Sequence, residues 1–453
     1  MEVLIIGAGI GGLTLGLMLH RAGIACRIFE AAPELKAVGV GINILPHASR
    51  ELCALGLEET LANVAVTTRE YCFYNRFGQF IYSEPAGRFA GYDVPQFSIH
   101  RGDLQMVLLD AFVKRAGANK VIIGWRCTRV ENDGPEAMAH FEDVLGKPLP
   151  SQRGSVVVSA EGIHSVLRKQ LYPNEGPPKY SGINMWRGVT RWKPFLSGAS
   201  MIRIGWHHPA KLLIYPIRNN VDADGKQLVN WVCDIETPQY QARDWNRRGK
   251  LQDFLPAMAD WHFDWLDVPK FISSADAILE YPMVDQDPLP RWSFGGLTLL
   301  GDAAHPMYPR GANGAAQAIL DCRALADALV ANPDAVAALK AYEAKRLPAT
   351  SEVVLANRKA PPDAILHEVY RRTGDKPFKN IDDVISREEL MALSEGYKRI
   401  AGYDKERLKT GTQAGKKLTT TNCEARVHPA SPTAYSWPLD DGAVGSTSPL
   451  KRI

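Results

Sequence analysis

Residues 3–30 limit the fold more than any other stretch of this chain. Val3–Ile6 reads as a buried parallel strand, GAGIGG follows with Gly7, Gly9 and Gly12, and the apolar LTLGLMLHRAG reads as a helix. A second strand, CRIFE, ends in Glu30, eighteen residues after Gly12. Each part has a physical task in a dinucleotide-binding βαβ unit. Gly7 permits the tight turn, Gly9 lets the backbone approach a pyrophosphate, and Gly12 lets helix and strand pack closely. The helix start then offers unpaired N–H groups and a positive dipole end to the phosphates. An acid at position 30 would accept from ribose hydroxyls and disfavours a ribose phosphate, so NAD or FAD fits here better than NADP.

Two later stretches read as further strand ends of such a site. VVVSAEGIHSVLR (156–168) is a β-branched run that stops at an acid and a glycine, Glu161 and Gly162, with Arg168 able to brace the acid or meet a phosphate. LTLLGDAAHPMYPRGANGAAQAILD (297–321) is a strand ending in Asp302, a proline-rich loop, then Gly311, Asn313 and Gly314 opening an alanine-rich helix. A second helix start beside the first can stabilise another negative centre, such as a reduced flavin. His305 in this loop reads as a packed or capping histidine rather than a base.

The ordered set GAGIGG…E, SAEGIHSVLR and GDAAHPMYPRGANG resembles the group A FAD-dependent aromatic hydroxylases, the para-hydroxybenzoate and salicylate hydroxylase type. GVGINILPHA, FSIHRGDLQMVLL, MWRGVT, LVNWVC, QARDWNRRG and LEYPMVDQDPLP sharpen the likeness toward the pyocyanin-forming phenazine monooxygenases, over about residues 3–360. The resemblance implies an α/β fold: a Rossmann-like FAD-binding domain, a mixed antiparallel-sheet substrate domain and C-terminal helices. It implies that Gly7, Gly9, Gly12 and Glu30 hold the adenosine half of FAD and that Arg101 and Gln105 reach its phosphate and ribityl region. Asp302 would bond the ribityl chain, Pro309 would lie at the flavin edge, and Gly311, Ala312, Asn313 and Gly314 would face the isoalloxazine. Glu161 and Gly162 would sit near the pyrophosphate, where the family usually has aspartate. On the residues alone, Arg101 could equally be a strand-end ion-pair partner and Gln105 a helix-surface glutamine.

The implied reaction takes NADH or NADPH and dioxygen through a flavin C4a-hydroperoxide, with no catalytic side chain named. Hydroxylation at a carboxylate-bearing carbon would release carbon dioxide. The alternative is a flavin-dependent reductase or dehydrogenase of the same superfamily, without oxygen insertion.

Residues 71–97 and 175–285 change character. GASMIRIGW, AKLLIYPIR and QLVNWVCDI alternate as half-buried antiparallel strands, with tryptophan concentrated among them. A sheet over a flavin would close a pocket for a flat aromatic substrate, and Trp186, Arg187, Tyr215 and Trp231 are the candidate lining. Arg187 suits a carboxylate, because a guanidinium fork makes two parallel bonds. The expected division is an FAD-binding domain from 1–70, 98–174 and 286–350, a substrate sheet from 71–97 and 175–285, a helical region over 351–417 and a flexible tail over 418–453. A helix is expected over 338–360.

Composition narrows the partners. A net charge of +3 over 453 residues supports neither nucleic-acid nor anionic-membrane binding. Seven cysteines without a CxxC pair suggest neither zinc nor a redox dithiol, and reduced thiols in the cytoplasm are the simplest expectation. The apolar N-terminus lacks the basic flank of a signal peptide. GTQAGKK is one spacer short of a phosphate loop, IHSVL lacks the glycines of a nucleophile elbow, and His207–His208 has no third metal ligand at a suitable spacing. The expected partners are a small aromatic substrate and dioxygen, the expected state a monomer or homodimer.

Overall fold

The strand Glu2–Ile6 lies at the centre of a six-stranded sheet, between Ala25–Glu30 and Val156–Ser159, both parallel to it. Val3, Leu4 and Ile5 are fully buried, as a parallel strand covered on both faces requires. Val121–Ile123 extends one side of the sheet, and Leu297–Leu299 with antiparallel Ser293–Phe294 extends the other. The helix Ile10–Arg21 packs between the helices Arg101–Ala116 and Gly314–Ala331 over one face. The computed structural model describes residues 1–132, 136–237, 248–359, 363–406 and 408.

A seven-stranded sheet holds the middle of the chain. Its order is Ile278–Asp285, Lys179–Trp192, Gln227–Glu236, Ala210–Arg218, Ser200–Trp206, Glu70–Tyr74 and Phe80–Pro85. All its pairings are antiparallel except that of Ser200–Trp206 with Glu70–Tyr74, which is parallel. That exception follows from connectivity, since the two strands are far apart in the chain and no hairpin fixes their relative direction.

Side chains alternate strictly across this sheet. Trp186, Ile202, Ile204, Leu212, Ile214 and Trp231 face one way, into an apolar layer closed by Phe254, Trp261 and Phe271. Met185, Arg187, Met201, Arg203, Lys211, Leu213 and Tyr215 face the other way, toward a cleft. A small sheet of Gly41–Ile44, Phe97–His100 and Val66–Thr67 forms part of the opposite wall.

The C-terminal part is helical: Ala335–Arg358, Ala364–Thr373 and Arg387–Ala401. The last begins with a reciprocal cap between Ser386 and Glu389. Residues 409–417, the expected tail over 418–453 and most of the QARDWNRRG stretch lie outside the described residues. Among the described residues no helix is long and apolar enough to cross a membrane.

Candidate active site

The fingerprint loop is shaped by its glycines. Gly7 has φ +107°, its N–H donates to Phe29 O at 2.7 Å, and a Cβ there would sit 2.5 Å from Ala160 O. A Cβ on Gly12 would fall 1.9 Å from Gly7 O, so helix and strand close only over a glycine. Gly9 differs: a Cβ there would meet nothing within 4 Å. The loop is therefore sealed toward the protein and open at the residue where a diphosphate backbone would approach. Gly9 is also the residue before the helix, whose first turn has neither an acid nor a side-chain cap.

Glu30 shapes this loop as well as facing it. Its carboxylate accepts the Ala8 and Ala32 N–H groups, both at 2.8 Å, which leaves lone pairs for ribose hydroxyls. Gln105 is buried and donates from Nε2 to Ala8 O at 2.8 Å, so it braces the loop from behind and is not a helix-surface glutamine. Arg101 is exposed at the start of its helix; its backbone N–H donates to Val40 O at 2.9 Å, while its guanidinium has no hydrogen-bond partner among the described residues. Its charge reaches Asp302.

Asp302 stands open to the cleft although it lies deep in the fold. That depth raises its pKa, against the lowering pull of His305 and Arg101. Behind it, His305 Nε2 meets Asp321 Oδ2 at 2.5 Å, and Asp321 also accepts Arg346 Nε at 2.7 Å and Gly301 N at 3.1 Å. Burial alone would raise the Asp321 carboxyl, but His305 and Arg346 outweigh it and hold the group below its usual range. His305 is thus a packed histidine that fixes the strand end to the helix Gly314–Ala331, as its sequence context suggests.

The loop that follows runs through two left-handed residues, Gly311 at φ +72° and Ala312 at φ +56°. A non-glycine residue there costs about 1 kcal/mol and persists only where the surroundings hold it. Tyr397 supplies much of that hold, since a Cβ on Gly311 would lie 2.0 Å from its hydroxyl. Asn313 donates to the same hydroxyl at 2.9 Å and meets His47 Nε2 at 3.2 Å, while Tyr397 donates to Asn357 at 3.1 Å. His47 and Tyr397 thus hold the Asn313 side chain from behind, Asn357 holds the Tyr397 hydroxyl in turn, and the backbone of 311–314 is presented to the cleft. His47, Asn357 and Tyr397 were not legible as site residues: none lies in a phosphate-loop motif, and nothing local marks Tyr397.

Glu161 is turned inward. It accepts Ser159 and Ser165 hydroxyls, both at 2.7 Å, and the Val166 and Leu167 N–H groups at 3.3 and 3.2 Å. It caps the short helix Val166–Leu171 together with Ser165. Gly162 turns the chain beside it at φ +75°. Arg168 corrects an expectation, since it neither braces Glu161 nor points at a phosphate position. It is buried, pairs with Glu175 at 2.6 Å, and donates to Ala303 O and Ala304 O at 2.9 and 2.8 Å. The 160–168 turn is thereby fastened to the Asp302 turn.

The cleft between loop 309–314 and the seven-stranded sheet has a cavity volume of about 220 Å³. Arg187 donates to Gly41 O at 3.1 Å and keeps a buried Nε without a hydrogen-bond partner. Tyr215 donates to the same carbonyl at 2.8 Å, and burial pushes its phenol up to about 12. Trp186 and Trp231 correct the expected lining. Strand alternation turns both to the reverse face, where Trp186 stacks on Phe254 at 5.2 Å and Trp231 donates to Thr190 at 3.0 Å. Sequence reasoning missed Arg203, Lys211, Asp234 and Asp363, charged groups at one end of the cleft. The spacing of Arg203, Lys211 and Tyr215 along two strands was the available signal, once the face of one was known.

A glycine loop open at Gly9, an acid with spare acceptors, an unpartnered arginine and a backbone-lined cleft together fit FAD: a diphosphate, a ribose and a flat ring system in one line. An FAD binding domain family matches residues 1–357. The chain is 42% identical over 404 residues to the phenazine 1,6-dicarboxylic acid hydroxylase of Lysobacter antibioticus, covering 88% of this chain and 97% of that protein. It is 31% identical to the 3-amino-4-hydroxybenzoate 2-monooxygenase of Streptomyces cremeus, over 78% of this chain and 85% of that one. In fold it matches the FAD and uric acid complex of HpxO from Klebsiella pneumoniae, with a TM-score of 0.68 at 24% identity over 91% and 95% of the two chains.

Proposed function

The chain belongs to the FAD binding domain family and is an FAD-dependent aromatic monooxygenase, and from that premise we propose that its substrate is a flat N-heteroaromatic carboxylate of the phenazine type. The observation that carries this reading is the position of Arg187. It lies on the sheet face that meets loop 309–314, in a cleft also lined by Met185, Met201, Met283 and Met307. Methionines adapt to a flat ring, and the guanidinium supplies one fixed point for a carboxylate. The 42% identical relative carries a phenazine dicarboxylic acid in its name, which supports the same class.

Bound FAD supplies the electron transfer and oxygen activation. The protein's own residues bind and orient. Gly7, Gly9, Gly12 and Glu30 would take the adenosine diphosphate half, and Arg101 and Asp302 would take the middle. Pro309 and the backbone of Gly311, Ala312, Asn313 and Gly314 would take the ring. Gln105, Glu161 and Gly162 would keep the loops in place. Tyr215 stays protonated and orients Gly41, and Arg187 holds the substrate edge. If hydroxylation falls on the carboxylate-bearing carbon, the acid, dioxygen, NADH and a proton yield the phenol, carbon dioxide, NAD⁺ and water.

The FAD-holding part is assigned to 1–70, 98–174 and 286–350, and the substrate-holding part to 71–97 and 175–285. We read the protein as cytoplasmic, which the free state of the six described cysteines supports, and as a monomer or homodimer. The test is purified FAD-loaded protein given NADH or NADPH with phenazine-1-carboxylate or substituted benzoates. Faster nicotinamide oxidation with the phenazine, and one product oxygen from labelled dioxygen, are expected. Stimulation by benzoates alone would overturn the substrate class.

A further inference from the structure

At one end of the cleft a lysine is held in place by two carboxylates. Lys211, on the strand Ala210–Arg218, is 5% exposed and lines the cleft. Its Nζ lies 2.7 Å from Asp234 and 2.6 Å from Asp363. Asp363 comes from the C-terminal part of the chain and lies 3.7 Å from Arg203 Nε. Two cations and two carboxylates make the cluster neutral, which is the condition for burying ions at modest cost. The nearby His207 adds no charge, because burial and then Lys211 push it down to about 2. Burial opposes the charge on Lys211, but Asp234 and Asp363 outweigh it and keep the ammonium protonated.

An ammonium has three donors. Two are used by Asp234 and Asp363, and among the described residues the third has no partner. The strand register fixes where it stands relative to Arg187. Arg187 is opposite Val232, Val232 is opposite Leu213, and Lys211 is opposite Asp234, one pair further along that face. Two strand spacings across and two residues along put the two Cα atoms roughly 12 Å apart. On a wall that also carries Arg203, the Cα atoms of Arg187 and Lys211 are thus about the length of a flat three-ring system apart, which suits a two-point grip.

We infer that Lys211 is the second anchor of the substrate site, taking a carboxylate on the ring edge opposite the one held by Arg187, so that the cleft is built for a flat aromatic diacid. Asp234 and Asp363 are positioning residues that fix the ammonium and orient its free N–H. This inference deepens the phenazine-type reading and rests on it for the ring system only; the two-point grip applies to any aromatic diacid of suitable span.

The experiment measures Kd on FAD-loaded protein by perturbation of the flavin absorbance. It uses diacid and monoacid pairs of phenazine, naphthalene and pyridine carboxylates, with the wild type, Lys211→Met and Lys211→Arg. A charged hydrogen bond of this kind corresponds to roughly 10- to 100-fold in Kd. Lys211→Met is expected to weaken the diacid of the best-bound pair by that factor and its monoacid by less than about 3-fold, while Lys211→Arg recovers part of the difference. Lys211→Met leaves two buried carboxylates, so Lys211→Met/Asp363→Asn, which removes one of them, serves where the single variant loses FAD. If the phenazine pair does not bind but another diacid shows the selective loss, the ring assignment fails and the grip stands. Equal weakening of diacid and monoacid, or no selective loss in any pair, overturns it.

Discussion

The two faces of the seven-stranded sheet are made by the same strands, one residue out of step, and they serve opposite purposes. On one face Trp186 and Trp231 are buried in an apolar layer closed by Phe254, Trp261 and Phe271. On the other, Arg187, Lys211 and Tyr215 stand over a cleft, and Arg187 keeps a buried donor without a partner. Residues of the first face hold, and residues of the second meet a ligand. A large aromatic in a strand is therefore evidence of a core before it is evidence of an aromatic site, and the polar residue next to it is the better candidate for contact.

The sharpest way to break this contrast is Trp231→Ala. Removal of a fully buried indole costs about 3–5 kcal/mol, so denaturant unfolding should shift by that amount while substrate Kd in the folded fraction changes less than about 2-fold. A large rise in Kd at unchanged stability would put Trp231 in the cleft after all. Arg187→Met should do the reverse. Loss of a charge-assisted contact raises the Kd for an aromatic monoacid by roughly 10-fold or more, with unfolding free energy within about 1 kcal/mol of wild type.

Two weaker effects extend the distinction from the sheet to the loops. Tyr397→Phe deletes the hydroxyl shared by Asn313 and Asn357, at about 1 kcal/mol. Because that hydroxyl supports the cleft-facing loop, FAD should dissociate measurably faster on dilution, and an unchanged off-rate would detach the C-terminal helix from the site. Glu161→Asp should have the smallest effect. It withdraws one methylene from a cap of four accepted bonds, so Tm should fall slightly while FAD affinity and the rate of NADH reduction stay within about 2-fold. A large change in the reduction rate would return Glu161 to the ligand-facing class.

What could be read from residues alone divides along the same line. The fingerprint loop was legible because its geometry is written in backbone terms. Gly7 and Gly12 sit where a Cβ would strike Ala160 O and Gly7 O, and no distant side chain is needed to explain them. The cleft was half legible. Alternation showed that strands were present but not which face each residue used, so Arg187 and Tyr215 were grouped with Trp186 and Trp231. The lysine end was illegible, because Lys211 acquires its meaning only from Asp363, 152 residues away in sequence. Arg168 is legible as part of a motif but not in its direction: it turns inward to Glu175 and two carbonyls, while Glu161 takes a structural role set by Ser159 and Ser165.

The clamp on Asn313 has a consequence for how such enzymes diversify. Its tethers come from the helices Pro46–Ala54 and Arg387–Ala401, the second braced by Asn357, and Arg387–Ala401 lies outside residues 1–357 that the family matches. Sequence drift in that C-terminal helix acts on the cleft-facing loop 309–314 without touching any residue of the nucleotide fingerprint. Redox tuning and cofactor recognition can then evolve on separate stretches of gene, and grafting the C-terminal helix of one relative onto another becomes a rational way to alter the first while sparing the second.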